Sequence, residues 1–476
     1  MRLKKILENV RVEKTNNFKN YNIKCVTHNS NDVIKDSVFI CIKGEKYNGE
    51  DYIADAINRG AKCIITENDI ITSVTTIVVK DIRIAMSTIA KNFYNRCCDD
   101  LDIIGVVGTS GKTSTAMIIS HILKTIGKNV GIIGTNFIYF DNIRQDSKFT
   151  TPDPLDLHYI FYQMKMLGID TVVMEISAQA IYYKKVYGIR FRVVDFTNIS
   201  PEHIDFFGTY EKYIETKLGF FIPKNMDECV VNIDDVYGRE LAYNTMVPSI
   251  SYGLLSPANS FALDISESLD GLEFTANILD DIIPIKCCLV GGYNVYNILG
   301  AMSVCKLLGV SAKSMQMAIN CMPVIDGRFN VYSVGGKRII IDFAHTPDSI
   351  EKVLSFIRVR CDKKLIVVFG CVGYSDREKR ITMTSVVSKY ADNIIITTDN
   401  PGNTPFEDIA KDMMIGASVH YECVEDRESA IKYAYQLMDN GDTLVVLGKG
   451  AENFQTIGDE RREYSDTTVV KKLIGK

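Results

Sequence analysis

Apolar residues come along this chain in short runs, each closed by a polar or glycine-rich cluster and most followed by a stretch with helical spacing. Residues 38–42 (VFICI) read as a buried strand, with a loop at 43–49, a helix over 52–59 and a second strand at 63–65. The pattern restarts after Asp99-Asp100, with a strand at 103–107. Over 112–126 apolar side chains recur at 116, 119, 122, 123 and 126, the stripe of an amphipathic helix, and Gly127 sits where a C-cap is expected. Strands at 130–133, 172–174 and 193–196 and a helix over 155–167 continue an alternation that predicts a mostly parallel sheet covered by helices. A third unit begins near Gly327-Arg328, with strands at 339–341, 365–369, 394–397 and 444–447. Their polar ends at 342–347, 370–373, 398–403 and 448–452 all fall on the carboxyl edge of a parallel sheet, where ligands bind. The expected organisation is α/β throughout: a small unit over 1–99, a central unit over 100–325 and a Rossmann-like unit over 326–476.

Composition narrows the class. With 476 residues, 46% hydrophobic and 24% charged, the chain is long enough for more than one core. A net charge of −5 without basic blocks argues against nucleic acid as the partner. No run approaches the roughly 18 apolar residues of a membrane span, and the start is unlike a signal peptide. Thirteen scattered cysteines with no C-x-x-C pair read as reduced core residues of a cytoplasmic protein.

Chemistry enters at Gly108-Thr109-Ser110-Gly111-Lys112-Thr113 (with Ser114 next), between a strand and a helix. Such a turn aims several backbone N–H groups at one anion, Lys112 adds charge toward β- and γ-phosphates, and Thr113 offers a hydroxyl to Mg²⁺. The spelling is shorter than G-x-x-x-x-G-K-[ST], since Val106 stands where the first glycine would be. The alternative is a tight turn with a solvated lysine. Glu175, in Met-Glu-Ile-Ser after an apolar strand, is placed to reach a P-loop metal.

Further strings follow in order: residues 196–205 (FTNISPEHID), 208–217 (GTYEKYIETK), 291–297 (GGYNVYN), 327–329 (GRF), 342–347 (DFAHTP), 369–371 (FGC), 376–380 (DREKR), 399–401 (DNP) and 448–452 (GKGAE). Together with the P-loop they resemble the Mur ligases, in particular the type that adds the third amino acid of the cell-wall peptide. The resemblance implies a monomeric three-domain ligase whose N-terminal domain holds a UDP-linked substrate. It would use ATP and two Mg²⁺ to join a diamino acid, L-lysine or meso-diaminopimelate, to UDP-MurNAc-L-Ala-D-Glu through an acyl phosphate. It further implies that Thr113 and Glu175 hold one Mg²⁺ and that His203 belongs to the second. It implies that Lys217, a cation unable to ligate metal as it stands, is carbamylated by CO₂; the alternative is a surface lysine in an i,i+4 pair. Asn294, Asn297, Arg328, Asp342 and His345 would complete the ATP site. Ser30, Thr150, Thr151, Ser177, Lys185 and Lys217 would meet the UDP substrate, and Arg380, Asp399, Asn400, Gly448 and Glu452 the amino acid.

The pattern departs from the family's at several positions. Asn29 and Asn31 flank Ser30 in place of Asp and Arg, and Ser177-Ala178-Gln179 replaces Ser-Ser-His. Lys185 stands for an arginine, and Ala451 for a histidine. Gly402 replaces the arginine that pairs with the distal carboxylate of diaminopimelate in the family, which leans the choice toward lysine or an unusual amino acid. Alternatives are a paralogue acting on another carboxylate, as folylpolyglutamate and cyanophycin synthetases do, or a non-catalytic nucleotide-binding scaffold.

Overall fold

The computed structural model describes residues 1–475 apart from 45, 46, 136, 148, 374 and 375. Glu45 and Lys46 of the expected 43–49 loop therefore lie outside the described residues. Three large sheets follow one another along the chain, and a two-stranded ribbon of Phe454–Ile457 and Glu460–Glu463 comes after the third among the described residues.

The first has five strands in the order Val12–Asn16, Thr75–Val79, Ala61–Thr66, Ser37–Ile40, Cys25–Thr27, parallel except for the first pair. Helix Ile82–Phe93 covers it, started by Asp81, whose carboxylate accepts the backbone N–H of Arg83 and of Ile84, both at 3.0 Å. This helix also docks the unit on its neighbour. The Arg83 guanidinium lies 4.1 Å over the Tyr183 ring, Ser87 Oγ donates to the Lys184 carbonyl at 2.7 Å, and Lys91 Nζ to the Gly188 carbonyl at 2.7 Å.

The central sheet has eleven strands. From Ser260–Ser268 through Ser249–Tyr252, Met226–Asn232, Phe191–Phe196, Asp102–Val107 and Thr171–Ile176 to Val130–Gly134 every pairing is parallel. Both flanks are antiparallel: Gly271–Ile278 and Asp281–Cys287 on one side, Phe137–Phe140 and Ile143–Gln145 on the other. The strand–helix alternation expected up to residue 325 therefore breaks over 249–287, where consecutive strands run without a helix between them. The turn at Leu279-Asp280 has φ of +47° and +73°, a left-handed pair that such tight hairpins require and that usually calls for Asn-Gly. Without that dipeptide the hairpin has no local signal. Helix Lys112–Thr125 packs Ala116, Ile119, Ile122 and Leu123 against Val295, Ile298, Leu299 and Met302 of helix Tyr293–Leu307, so the phosphate loop and residue 297 share one core.

The third sheet, Asn330–Val334, Lys337–Asp342, Thr443–Leu447, Leu365–Phe369, Asn393–Ile396, His420–Cys423, is parallel after its first pair. Its four polar clusters share one edge, as the parallel pattern demands. All thirteen cysteines are free thiols; Cys321 and Cys423 are exposed rather than core residues. No helix among the described residues is long and apolar enough to cross a membrane.

Candidate functional site

One cavity of about 1520 Å³ opens between the central and third units, and its wall runs from the phosphate loop to the carboxyl edge of the third sheet. The loop leaves strand Asp102–Val107 and enters helix Lys112–Thr125 through Gly111, which caps the helix at φ +87°. A side chain at 111 would place a Cβ 2.5 Å from Asn297 Oδ1, and one at 108 would sit 1.8 Å from Thr197 Oγ1. Both glycines are thus required by close packing as well as by backbone shape. Asn198 straps the loop from outside: its carbonyl accepts from Thr109 N and its Oδ1 from Ser110 N, each at 2.9 Å. Lys112 Nζ folds back to donate to the carbonyls of Gly108 (2.8 Å) and Thr109 (2.7 Å).

Behind the loop, Glu175 is 1% exposed and lies within strand Thr171–Ile176. Its Oε1 accepts from Thr113 Oγ1 at 2.9 Å and from Thr135 N at 3.0 Å. Thr151 Oγ1 donates to the Glu175 carbonyl at 2.9 Å and accepts from Ser177 N at 3.1 Å, while Thr150 Oγ1 is 3.2 Å from Thr135 Oγ1. Lys185 is buried beside this cluster, paired with Asp153 at 2.8 Å and 4.2 Å over the Phe149 ring.

Lys217 is 1% exposed, which removes the surface-lysine alternative. Its neighbours are hydroxyls: Nζ contacts Tyr213 OH and Thr109 Oγ1, the latter at 3.0 Å, and lies 4.2 Å from the Tyr213 ring centre. Burial, and then the charge of Lys112, drive its pKa well below the ordinary lysine value against the pull of Glu202 and Asp235. His203 stands at the head of helix Ile204–Phe207 with φ +55°. Burial lowers its pKa, opposed by Glu202 and aided by Lys379, Lys112 and Lys217, which favours the neutral ring that a metal requires.

From the third unit, Asp342 accepts Ala344 N at 2.7 Å and Phe329 N at 2.8 Å; burial raises its pKa although Arg328 opposes. The Arg328 guanidinium lies 4.2 Å over the Phe343 ring. Farther along, the fully buried Lys449 holds Glu452 at 2.8 Å, Asn400 Oδ1 at 3.2 Å and Asp399 at 3.6 Å. Gly448 is packed so that a Cβ would lie 2.6 Å from Asp399 Oδ2, whereas Gly402 has φ +56° and open space where its Cβ would be.

Of the residues singled out in the sequence, Gly108–Ser114, Thr150, Thr151, Glu175, Ser177, Lys185, His203, Lys217, Asn297, Arg328, Asp342, His345, Asp399, Asn400, Gly448 and Glu452 all line this cavity. Three do not. Ser30 is in a short 3-10 turn of the first unit. Asn294 is buried behind the wall, donating to the Val290 carbonyl (2.7 Å) and accepting from Asn297 (2.9 Å), so it orients Asn297 instead of facing the cavity. Arg380 is turned away as well: it pairs with Asp412 at 2.9 Å and donates to the Gly373 carbonyl at 2.7 Å. Lys379 and Met383 of the same helix take the wall instead. Sequence reasoning missed Glu202, although it adjoins His203, and Tyr213, four residues before Lys217; both line the cavity.

Profile comparison matches residues 22–94 to the Mur ligase family catalytic domain, 106–305 to the Mur ligase middle domain and 327–450 to the Mur ligase glutamate ligase domain. UDP-N-acetylmuramoyl-L-alanyl-D-glutamate–2,6-diaminopimelate ligase 1 of Clostridium acetobutylicum is 34% identical over 480 residues, covering 100% of this chain and 99% of its own. The diaminopimelate ligase of Clostridioides difficile is 36% identical with full coverage of both chains. The chain belongs to the Mur ligase family, and within it to the MurE type. Mur ligases are ATP-dependent enzymes that form amide bonds in peptidoglycan precursor synthesis. The fold agrees: a solved structure of a diaminopimelate-adding ligase superposes with a TM-score of 0.70 at 24% identity, covering 100% of this chain and 99% of that one. MurF of Thermotoga maritima in complex with ADP gives 0.65 at 20% identity, covering 89% of this chain and 93% of that one. The three-domain Mur ligase architecture is thus established for this chain.

Proposed function

We propose that this Mur ligase joins a diamino acid to the D-glutamyl γ-carboxylate of UDP-MurNAc-L-Ala-D-Glu, with ATP converted to ADP and phosphate. The observation that carries the reading is the meeting, in one cavity, of a phosphate loop, a buried lysine set against the hydroxyls of Thr109 and Tyr213, and a carboxylate–amide cluster at Asp399, Asn400 and Glu452. The full-length relatives named for 2,6-diaminopimelate support it.

The roles follow from chemistry. The loop N–H groups and Lys112 hold the phosphates, with Arg328 and Asn297 closing in from the other walls. The substrate carboxylate attacks the γ-phosphate, and the amine then displaces phosphate from the acyl carbon. Thr150, Thr151, Ser177 and Lys185 hold the acyl side against Glu175's strand, so the two reactants meet in a fixed orientation. Thr113 and Glu175 present a hydroxyl and a carboxylate 2.9 Å apart, the oxygen donors a hard cation takes. Among the described residues no group of three or more His, Cys, Asp or Glu could cage a metal. That suits Mg²⁺, which keeps waters and phosphate oxygens in its shell. His203 and a Lys217 carbamate would serve the second ion. When bound, Mg²⁺ neutralises charge on crowded phosphate oxygens. Burial and the charge of Lys112 favour the neutral Lys217 amine, whose lone pair would bond to CO₂ carbon with loss of one proton to solvent.

Two amino acids are in play. The relatives' names favour 2,6-diaminopimelate. The bare Gly402 and the engaged Arg380 favour L-lysine, whose distal end is only an ammonium that Glu452 or Asp399 would meet. Phosphate release with UDP-MurNAc-L-Ala-D-Glu and a panel of meso-diaminopimelate, L-lysine and L-ornithine distinguishes them. Release with at least one is expected; silence across the panel with ATP still bound would move the substrate to another carboxylate.

A further inference from the structure

Glu202 lies in the loop that follows strand Phe191–Phe196; Ser200 N ties that loop to the phosphate loop by donating to Thr109 Oγ1 at 3.0 Å, and Ile199 N ties it to the head of helix Val236–Asn244 by donating to Asp235 Oδ2 at 3.0 Å. Its side chain is only 9% exposed and stands between two imidazoles from different units. Oε2 is 3.7 Å from Nε2 of His203, and Oε1 is 3.6 Å from Nε2 of His345. His345 is oriented by its own strand end, with Nδ1 against the Phe343 carbonyl at 2.8 Å and the ring edge-on to Phe343 at 4.7 Å. That leaves Nε2 as the edge offered to Glu202. His345 is three residues from Asp342, so whatever holds this imidazole holds the segment that carries the buried carboxylate and flanks Arg328. Arg360 makes another contact across the same cleft, donating to the Glu267 carbonyl at 3.3 Å.

We propose that Glu202 is a positioning residue: its carboxylate engages His345 across the cleft and thereby sets where Asp342 and Arg328 stand relative to the phosphate loop. The carboxylate side of the contact is nearly buried while His345 is 41% exposed, so Glu202 is screened by solvent less than a carboxylate in a surface pair. The kinetic consequence rests on the ligase reading above; the contact itself does not.

The test is hydrogen exchange by mass spectrometry on the full chain, comparing wild type, Glu202→Gln, His345→Gln and the double variant. Each single variant is expected to speed exchange over residues 342–350 at least fivefold. The double variant should be within twofold of either single one, and residues 108–113 should stay within twofold of wild type. In turnover, Glu202→Gln should raise the KM for ATP at least fivefold, and its effect should vanish in the His345→Gln background. Unchanged exchange over 342–350 in Glu202→Gln, or single effects that multiply in the double variant, would overturn the proposal. Should Glu202→Gln not fold, His345→Gln alone must speed exchange over 200–203 as well as 342–350, and failure to do so would equally overturn it. Coupled exchange in a protein that joins no amine would leave the bridge standing and reject the ligase reading instead.

Discussion

Asp195 shows how a single residue sets a pH dependence away from the site. Its carboxyl is fully buried on strand Phe191–Phe196, facing Gly300, with the Tyr252 hydroxyl, which donates to the Phe196 carbonyl at 3.3 Å, as its polar neighbour. Burial raises its pKa well above the ordinary value, more than the nearby Tyr252 lowers it. A raised folded-state pKa means that stability is fully present below about pH 4, the unfolded value, and is lost as pH rises toward the folded one. Asp195→Asn should therefore gain on wild type as pH increases, from no advantage near pH 4 to roughly 2–4 °C in melting temperature at pH 8. Parallel melting curves across that range would contradict it. Gly402 carries a prediction on specificity. Open space at its Cβ admits a long side chain, and φ +56° costs a non-glycine residue about 1–2 kcal/mol. Gly402→Arg should raise kcat/KM for meso-diaminopimelate relative to L-lysine by about tenfold or more, by pairing the distal carboxylate. An unchanged ratio would place the distal end of the amino acid elsewhere.

At the scale of elements, the phosphate loop was legible because its signal is local: a strand, two required glycines and a helix lie within a few residues. Where Arg380 stands was not legible, because adjacent residues on a helix differ by about 100° in direction, and Lys379 rather than Arg380 lines the cavity. Asn294 was likewise one layer too deep. The hairpin over 271–287 was illegible, since its turn at Leu279-Asp280 lacks the usual dipeptide and only tertiary packing selects it. Nor could the sequence announce the pair of Arg427 and Asp466, 39 residues apart and fully buried, bonded at 2.8 Å through both Nε and Nη2. Arg427 also donates to the Leu447 carbonyl at 2.8 Å, so it ties helix Arg427–Leu437 and helix Asp466–Leu473 to the strand end before Gly448. Arg427→Ala should cost about 3–5 kcal/mol, because Asp466 is left buried and uncompensated. Replacing both by apolar residues of similar size should recover most of that loss. Thermal unfolding reads both variants, and a loss below about 1 kcal/mol in Arg427→Ala would refute the role.

For the whole molecule, the sequence carried the three-unit order because each unit has its own run of apolar strands, and the parallel pattern alone put the polar strand ends on one edge. It could not give the cleft, since side chains such as Glu202 and His345 lie 143 positions apart and meet only when two units dock. The central claim is that this cleft joins a phosphate loop on one unit to an amine-binding edge on another, so that a carboxylate is phosphorylated and then opened by an amine. The most direct measurement supplies UDP-MurNAc-L-Ala-D-Glu labelled with ¹⁸O in the γ-carboxylate, ATP, Mg²⁺ and the amino acid found active in the panel. The expected result is a product heavier by one amide-linked amino acid and one ¹⁸O in the released phosphate, carried there from the attacking carboxylate. Product with unlabelled phosphate would contradict the acyl phosphate, and the absence of product would contradict the substrate assignment itself.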